Sequence, residues 1–356
     1  MSDRRIDAAT LTDFAARIFV ACGARTADAH TVAEHLVEAN LKGHDSHGVG
    51  MIPAYVGNAR AGRLAPTAHA EVVRDSGAVL MIDGRFGFGQ VVGNEATALA
   101  IARARTTGVV CAGLRNAHHL GRIGTYGEQC AAAGLVSIHF VNVVGHAPRV
   151  SPWGGREARM TTNPFCCTIP SDSGPPFVLD MATSAIALGK VRVAQMKGER
   201  VEDGALVDAE GVPTSDPAVM FNEPIGTLGP FGKHKGYGLA VACELLGGAL
   251  AGEWTAQPAQ PRDNNIVNHM LMFVLDPDAF GNRSAFMREA RAMLDYLYST
   301  APAKGFDRVR IPGDPERESR AARSRDGIPI DANTWEGIAK SASVVGLAAE
   351  AVPRLR

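Results

Sequence analysis

The sequence predicts an α/β protein in which apolar strands alternate with amphipathic helices along the chain. Residues 108–114 and 135–144 are strand-like apolar segments that flank a short helical pattern. Residues 10–21 place their apolar side chains on one helical face. With 356 residues, 46% of them hydrophobic, the chain can bury a large core divided between two or three domains.

The remaining elements follow from the same periodicities and from glycine and proline positions. Helices are predicted at residues 26–41, 52–63, 94–105, 184–196, 237–251 and 284–298. Strands are predicted at residues 71–75, 79–83, 163–170, 175–180 and 269–276, and residues 201–222 are polar and predicted to be loop. A turn at residues 312–316 precedes a basic helix, and Asn333 to Glu336 resembles a capping box for the last helices.

A glycine-rich run at residues 84–93 lies between a strand and a helix, where a dinucleotide fingerprint would stand. Its spacing is G-x-G-x-x-x-G, and no acid follows at the end of the next strand. We therefore expect a tight turn packed near the surface. An ordinary Rossmann domain remains the alternative.

Composition narrows the class of protein. The net charge is -1 and no Lys/Arg block stands out, which argues against nucleic acid or an anionic membrane as the main partner. The first residues lack the apolar core of a signal peptide, and no apolar run reaches the ~18–20 residues of a membrane span. The six cysteines form no CxxC pair, so we expect buried free thiols in a cytoplasmic protein.

The stretch from Asn116 to Gly127 is the strongest candidate for catalysis. It places His118, His119 and Arg122 on a strand-to-helix connection whose glycines allow the backbone to approach a ligand. Histidine titrates nearest neutral pH and suits proton transfer. One or both histidines could equally be ordinary hydrogen-bonding residues.

A second polar cluster runs from His44 to Gly48 at a helix end. Its HxxH spacing suggests zinc, but a matching second pair of ligands is missing, so no metal site is predicted. Asp45 or Ser46 could instead form a local cap. Asp180 ends a predicted strand, where it could cap the next helix or orient an imidazole or a cofactor group.

A third candidate lies at residues 229–238, where glycines and the cations His234 and Lys235 open a helix. A helix N-terminus with these neighbours favours an anion such as a pyrophosphate. The GxxxxGK spacing of a phosphate loop is absent, which argues against an NTPase.

Four stretches together resemble the type-2 malate/L-lactate dehydrogenase family of NAD(P)-dependent oxidoreductases. They are GHDSHG at residues 43–48, the His118-His119 loop, Asn163-Pro164 with LDMATS at 179–184, and HKGYG at 234–238. The resemblance implies a non-Rossmann fold with a largely antiparallel nucleotide-binding sheet. It also implies a helical domain joining both chain ends (residues 1–75 and 300–356), a nucleotide- and substrate-binding α/β region (76–299), and a homodimer with sites near the interface.

The resemblance also assigns roles by position. It implies that His119 transfers protons, that His47 lies beside nicotinamide and substrate, and that Asp180 orients a catalytic imidazole. Ser46 and Arg122 are expected to bind substrate, the latter by gripping a carboxylate. The implied cofactor contacts are His47, Gly121, Arg122, Ile123, Val178, Leu179, Asp180, Met181, Ala182, His234, Lys235, Asn268, Gly313, Asp314, Pro315 and Glu316.

The expected activity is hydride transfer between a 2-oxo and a 2-hydroxy acid, with NAD as cofactor and NADP as the alternative. Many relatives carry an arginine where this chain has Met51, so a phenylpyruvate-type or 2-oxoglutarate-type substrate is favoured over malate or ureidoglycolate. Other readings are a malate/L-lactate dehydrogenase, a cyclic imino acid reductase, a metal hydrolase using the histidines, and a non-catalytic dinucleotide sensor.

Overall fold

A computed structural model of the chain describes residues 4–353 as a mixture of strands and helices. The strands are β1 (Arg4–Ile6), β2 (Glu71–Ser76), β3 (Val79–Asp83), β4 (Val109–His118), β5 (Val136–Val144), β6 (Phe165–Ile169), β7 (Phe177–Met181), β8 (Leu206–Val207), β9 (Pro213–Thr214), β10 (Thr227–Leu228), β11 (Val267–Leu275) and β12 (Ile328–Ile330). The α-helices are α1 (Ala8–Ala21), α2 (Thr26–Leu41), α3 (Ile52–Arg60), α4 (Gly89–Thr107), α5 (Gly124–Ala132), α6 (Leu188–Lys197), α7 (His234–Cys243), α8 (Pro277–Phe280), α9 (Arg283–Tyr298), α10 (Asp314–Asp326) and α11 (Ala332–Val344).

One seven-stranded sheet has the order β2-β3-β4-β11-β5-β6-β7. Within it β3 and β4 are parallel, and all the other neighbours are antiparallel. Strand β11 lies in the middle, between two strands that precede it by more than a hundred residues. The sheet confirms the predicted α/β fold with a largely antiparallel sheet, and the all-parallel order of a Rossmann domain is not present in it.

Both ends of the chain contribute to one helical layer. β1 pairs with β12 in a two-stranded sheet, while α10 contacts α2 and α11 contacts α3. These helices bury a common apolar core. Its largest members include Leu11, Phe14, Phe19, Leu36, Ile52, Tyr55 and Ile338. The layer positions α2 and α3, which carry partners of the candidate site.

Helix α4 begins at Gly89, five residues before the predicted start. The expected turn over residues 84–93 is therefore wrong in its second half, because Gly89 and Gly93 are helical. A Cβ at Gly89 would lie 2.2 Å from the His119 carbonyl oxygen, and one at Gly93 would lie 2.6 Å from the Tyr126 ring. These glycines allow α4 to pack closely against the loop that follows His118 and against α5.

Two other predicted helix starts are also corrected. The long helix after β10 begins at His234 instead of residue 237, and it continues into a π-helix at Glu244–Gly252. The cap of α11 is Asp331, whose carboxylate accepts the Thr334 N–H at 3.0 Å, so the capping box predicted from Asn333 is wrong.

The six cysteines are free thiols, three buried and three partly buried. Over residues 4–353, the helices are too short or too polar to cross a bilayer.

Candidate active site

The candidate catalytic loop, called the catalytic loop below, connects β4 to α5 and comprises residues 119–123. Strand β4 extends through His118, four residues beyond the predicted end, so only His119 lies in the loop. The loop backbone is held from two sides: the Leu120 N–H donates to Asn268 Oδ1 at 2.8 Å, and the Arg122 N–H donates to His35 Nε2 at 3.0 Å. Gly121 has φ +72, and a Cβ there would lie 2.6 Å from His35 Nε2. The loop therefore needs glycine at this position.

The two adjacent histidines have different surroundings. His118 is fully buried, and Asn58 Nδ2 donates to its Nε2 at 2.9 Å. Burial lowers the pKa of His118 to about 3. His118 is thus a neutral core histidine that joins α3 to the sheet, one of the two readings left open by the sequence.

His119 is half-buried and belongs to a chain of neutral polar groups. Its Nδ1 lies 2.7 Å from Tyr55 Oη, and Gln90 Nε2 donates to the same hydroxyl at 2.8 Å. The Nε2 of His119 has no hydrogen-bond partner among residues 4–353. Burial lowers the pKa of His119 well below its usual value, and the nearby His47, His118 and His35 contribute further. His119 is therefore neutral at pH 7, with one ring nitrogen held and the other free.

The His47 ring lies against the His119 ring. Their ring centroids are 5.6 Å apart with an interplanar angle of 19°. The Ser46 hydroxyl is 3.0 Å from His47 Nδ1. Burial lowers the pKa of His47 to about 4, although the Asp180 carboxylate opposes this shift. Two stacked neutral imidazoles therefore face one another beside a carboxylate.

Arg122 is buried, and carboxylates occupy its guanidinium group. Its side chain is 1% exposed, and its two terminal nitrogens reach the oxygens of Glu128 at 3.0 and 3.1 Å. Its Nε is 3.7 Å from Asp180 Oδ2. Burial opposes this charge, but Glu128 and Asp180 outweigh it and raise the pKa of Arg122. This geometry argues against the predicted grip on a substrate carboxylate.

Asp180 caps a helix, but not the one that follows it in sequence. Its Oδ2 accepts the Gly124 N–H at 2.7 Å, so it caps α5 from strand β7 across the sheet. A carboxylate at a helix N-terminus is stabilised by the free N–H groups there. Asp180 therefore connects the catalytic loop to the predicted cofactor strand and also faces His47.

The other predicted cofactor residues divide into two groups. Val178 to Ala182 lie on or just beyond β7, and the turn before α10 lies beside them, since the Val178 N–H donates to Pro312 O at 3.2 Å. Gly313 adopts φ +98, and Asp314, Pro315 and Glu316 form the first turn of α10. Glu316 makes no hydrogen bond to residues 119–123. Its Oε1 lies 3.1 Å from His44 Nε2. The structure thus brings the β7 residues, the 313–316 turn, His44 and the catalytic loop into one region.

The second group is at the start of α7. His234 and Lys235 are exposed first-turn residues of this ten-residue helix. The helix begins just past the end of β7, because the Phe231 N–H donates to Thr183 O at 3.1 Å. The N–H groups of residues 235–237 donate to the carbonyls of residues 231–233, so what faces solvent at this end of the region is two basic side chains.

Asn268 was predicted to contact the cofactor, but its side-chain amide is buried and already hydrogen-bonded within the protein. It is 2% exposed, its Oδ1 holds the Leu120 N–H, and its Nδ2 donates to Asn142 O at 2.9 Å. Both ends of this amide support the loop.

The residues missed at the sequence level are Tyr55, Gln90, His35 and Glu128. All four reach the loop from helices, and their types are common on helices, so only their spacing on a helical face could have drawn attention to them. Among residues 4–353, no group of three or more His, Cys, Asp or Glu side chains is arranged to hold a metal ion.

Fold and site together define a dehydrogenase family. The chain belongs to the malate/L-lactate dehydrogenase family, whose model matches residues 6–339. It is 44% identical over 351 residues to hydroxycarboxylate dehydrogenase B of Escherichia coli (strain K12), covering 98% of this chain and 96% of that protein.

Two solved structures show the same architecture. Sulfolactate dehydrogenase from Methanocaldococcus jannaschii is similar at 33% identity and a TM-score of 0.86, over 97% of this chain and 98% of the other. Delta1-piperideine-2-carboxylate reductase from Pseudomonas syringae pv. tomato is similar at 31% identity and a TM-score of 0.79, over 95% and 100%. The fold thus occurs in enzymes named for hydroxy acids and for a cyclic imino acid.

Proposed function

We propose that this protein is an NAD(P)-dependent oxidoreductase that interconverts 2-oxo and 2-hydroxy acids, with NAD as the cofactor and NADP as the alternative. The observation that carries the proposal is the free Nε2 of His119, next to His47 and backed by Tyr55. Membership of the malate/L-lactate dehydrogenase family supports the reaction class. The similarity to hydroxycarboxylate dehydrogenase B supports the substrate class.

The donor set fits a dinucleotide. The exposed start of α7 offers the basic side chains of His234 and Lys235 and the positive end of the helix dipole to a pyrophosphate. Strand β7 and the turn at Gly313 would hold the rest, together with the loop residues Gly121 to Ile123. When bound, the nicotinamide supplies or accepts the hydride at its C4.

His119 supplies the proton chemistry. In oxidation of a hydroxy acid, neutral His119 accepts the hydroxyl proton; in reduction of an oxo acid, protonated His119 donates a proton to the carbonyl oxygen. Because burial lowers the pKa of His119, the residue is neutral at neutral pH, and it accepts the hydroxyl proton at Nε2 when its own hydrogen is on Nδ1. Reduction requires His119 to take up a proton first, so its rate rises as the pH falls.

His47, Ser46 and Asp180 orient the reacting groups. The Ser46 hydroxyl fixes one ring nitrogen of His47, which leaves the other to hydrogen-bond the substrate carbonyl or the nicotinamide amide. The carboxylate of Asp180 favours a positive charge on His47 if a proton arrives there. Arg122 keeps Asp180 and Glu128 in place.

We propose that Met51 determines which substrate side chains the site accepts. It lies in a single 3-10 turn that runs into α3, four residues before Tyr55, so both side chains point to the same side. Its thioether is partly buried against the apolar core of the helical layer. An apolar group here suits a bulky or weakly charged side chain better than the carboxylate that malate and oxaloacetate carry close to the reacting carbon.

We propose that the chain acts as a homodimer. Light scattering of the purified protein tests this: a monomer mass of 37.5 kDa would overturn it.

A spectrophotometric screen tests the function. NADH and NADPH are offered in parallel with phenylpyruvate, 2-oxoglutarate, oxaloacetate, pyruvate and sulfopyruvate, and absorbance at about 340 nm is followed, where reduced nicotinamide absorbs. We expect oxidation of NADH with phenylpyruvate or 2-oxoglutarate. No loss of absorbance with any oxo acid would contradict the proposal.

A cyclic imino acid reductase is the second candidate, because a delta1-piperideine-2-carboxylate reductase shares the fold over 95% of this chain. The hydride chemistry is the same, but the acceptor carbon is bonded to nitrogen. Adding delta1-piperideine-2-carboxylate to the screen separates the two: turnover on the imine that exceeds turnover on every oxo acid would favour this candidate.

A further inference from the structure

The side-chain amide of Gln90 donates hydrogen bonds through its nitrogen, whereas its oxygen is buried without a partner among residues 4–353. It is fully buried in the first turn of α4. Its Nε2 is 2.8 Å from Tyr55 Oη and 3.2 Å from the His119 carbonyl oxygen. A carbonyl oxygen only accepts, so the amide nitrogen faces it and the orientation is set by chemistry. The Oε1 of Gln90 is buried and has no partner among residues 4–353.

This orientation fixes the proton positions while His119 is neutral. Tyr55 accepts from Gln90, and burial raises its pKa far above neutral, so it keeps its own proton. The nearest acceptor for that proton is His119 Nδ1 at 2.7 Å. With Gln90 in this orientation, neutral His119 accepts at Nδ1, carries its hydrogen on Nε2 and takes no proton from a substrate there. Nε2 becomes a base when the hydrogen of His119 is on Nδ1 and Tyr55 accepts from it, which requires another acceptor for the Tyr55 proton.

Protonation of His119 reverses the direction of the hydrogen bonds that link His119, Tyr55 and Gln90. Nδ1 now bears a hydrogen and donates to Tyr55 Oη, so the hydroxyl proton of Tyr55 needs another acceptor. The unpartnered Oε1 of Gln90 can provide it if the amide rotates by half a turn about its last side-chain bond. The cost is the 3.2 Å hydrogen bond to the His119 carbonyl oxygen.

We propose that Gln90 is a positioning residue that accommodates both protonation states of His119 by presenting either its N–H or its carbonyl oxygen to Tyr55. The inference rests on the proposed role of His119 as acid and base. An amide offers both a donor and an acceptor at this position, whereas leucine offers neither and a carboxylate offers only acceptors. The titratable groups facing His119 are Tyr55 from α3, His47 from the turn before it, His118 from β4, His35 from α2 and His146 after β5, and each of these histidines disfavours a positive charge on His119.

Two substitutions at Gln90 should have opposite effects on the pH profile of oxo acid reduction. In Gln90→Leu the hydroxyl proton of Tyr55 has no acceptor when His119 is protonated. The midpoint of the kcat/KM profile should therefore move to lower pH, with kcat near neutral pH reduced on the order of tenfold. In Gln90→Glu the carboxylate accepts from Tyr55 and favours protonated His119, so the midpoint should move to higher pH. NADH affinity should stay unchanged in both.

The matched control is Gln129→Leu. Gln129 also donates through Nε2 to a helix carbonyl, Asn94 O at 3.1 Å, and also has a buried Oε1 without a partner, but it has no contact with Tyr55 or His119. Its profile should match that of the wild type. Equal loss of activity in both Gln90 variants, with no movement of the midpoint, would show a merely structural role and overturn the proposal.

A second measurement does not depend on turnover. Long-range 1H–15N correlation of protein labelled at histidine reports which ring nitrogen bears the hydrogen, and His119→Asn assigns the signal. We expect the Nε2–H form in the wild type and a mixture of forms in Tyr55→Phe. An Nδ1–H form in the wild type would overturn the inference even if the oxo acid screen succeeds, whereas a failed screen with the expected tautomer would count against the function alone.

Discussion

His119 and Arg122 lie three residues apart in one loop, but their polar surroundings are of opposite kinds. His119 is linked to Tyr55 and Gln90, which are neutral. Arg122 is linked to Glu128 and Asp180, and Lys42 extends that ionic cluster with a 2.6 Å contact to Glu128. Neutral hydrogen bonds can reverse direction when a proton moves, whereas a buried ion pair cannot lose a partner without leaving a charge unpaired.

The contrast shows how one short loop combines a site suited to proton exchange with a backbone that is held in place. The neutral end suits proton exchange, and the ionic end holds the backbone and the helix cap at Gly124. Each end can be tested by a change that adds or removes charge.

Acid should protonate buried neutral histidines, including His35 and His118 beside the neutral network, and produce the largest effect. Burial lowers the pKa of His35 and His118 to about 3 and that of His139 and His269 to about 4. Since their pKa values are lowered on folding, their stability contribution is complete above the unfolded value of about 6.5 and is lost as the pH falls toward 4. For each of these histidines, the free energy of unfolding should fall by up to about 1.4 kcal/mol per pH unit in that window. Urea unfolding across this range measures the loss, and a flat profile would contradict it.

Arg122→Met should break the ionic network. The change leaves Glu128 and Asp180 without their buried partner, so the free energy of unfolding should fall by about 3–5 kcal/mol. Urea denaturation measures it. The control is Arg25→Met, which removes an ion pair whose arginine is 57% exposed and should cost less than about 1 kcal/mol. Similar losses in the two variants would refute the distinction between buried and surface pairs here.

His119→Ala should remove the reactive end of the neutral network. Turnover should fall at least about a hundredfold with little change in NADH affinity, because the residue acts in proton transfer. Steady-state kinetics and fluorescence titration of NADH measure both quantities. Unchanged turnover would exclude His119 from the role proposed for it.

Met51→Arg should sharpen the contrast by placing a charge beside the neutral end. The ratio of kcat/KM for oxaloacetate over phenylpyruvate should rise about tenfold, since a guanidinium can pair with the second carboxylate. Parallel kinetics on the two oxo acids measure the ratio. Met51→Lys offers a charge without the planar fork and should give a smaller rise; no change in either variant would place Met51 away from the substrate.

The sequence predicted the strands of the seven-stranded sheet well because their apolar runs are bounded by glycines and prolines, as in residues 135–144. It missed the strands of two or three residues, including β8 and β9 in the predicted loop at 201–222, because such short pairs have no periodicity. It predicted helix starts less well where glycine serves close packing. At Gly89 and Gly93 the glycines face the His119 backbone and the Tyr126 ring, contacts that become visible only when distant segments meet. Local pattern cannot distinguish a glycine required for a turn from one required by a neighbour.

The candidate site was predictable where its residues stand in motifs, as His47 and His119 do. Tyr55 and Gln90 were not, because they reach His119 across 64 and 29 residues and have no distinctive spacing. Arg122 was correctly placed in the loop, but its burial depends on Glu128 and Asp180, which the sequence does not pair with it.

The position of β11 has a consequence for biosynthesis. Strands β4 and β5 emerge from the ribosome long before their shared neighbour, and neither pairs with the other. Until residue 275 has been made, both expose an open, apolar edge, and the Leu120 amide lacks the Asn268 side chain that anchors it. A nascent chain stopped short of that point would be prone to self-association, and the enzyme would acquire its catalytic geometry late in translation, in one step with closure of the sheet.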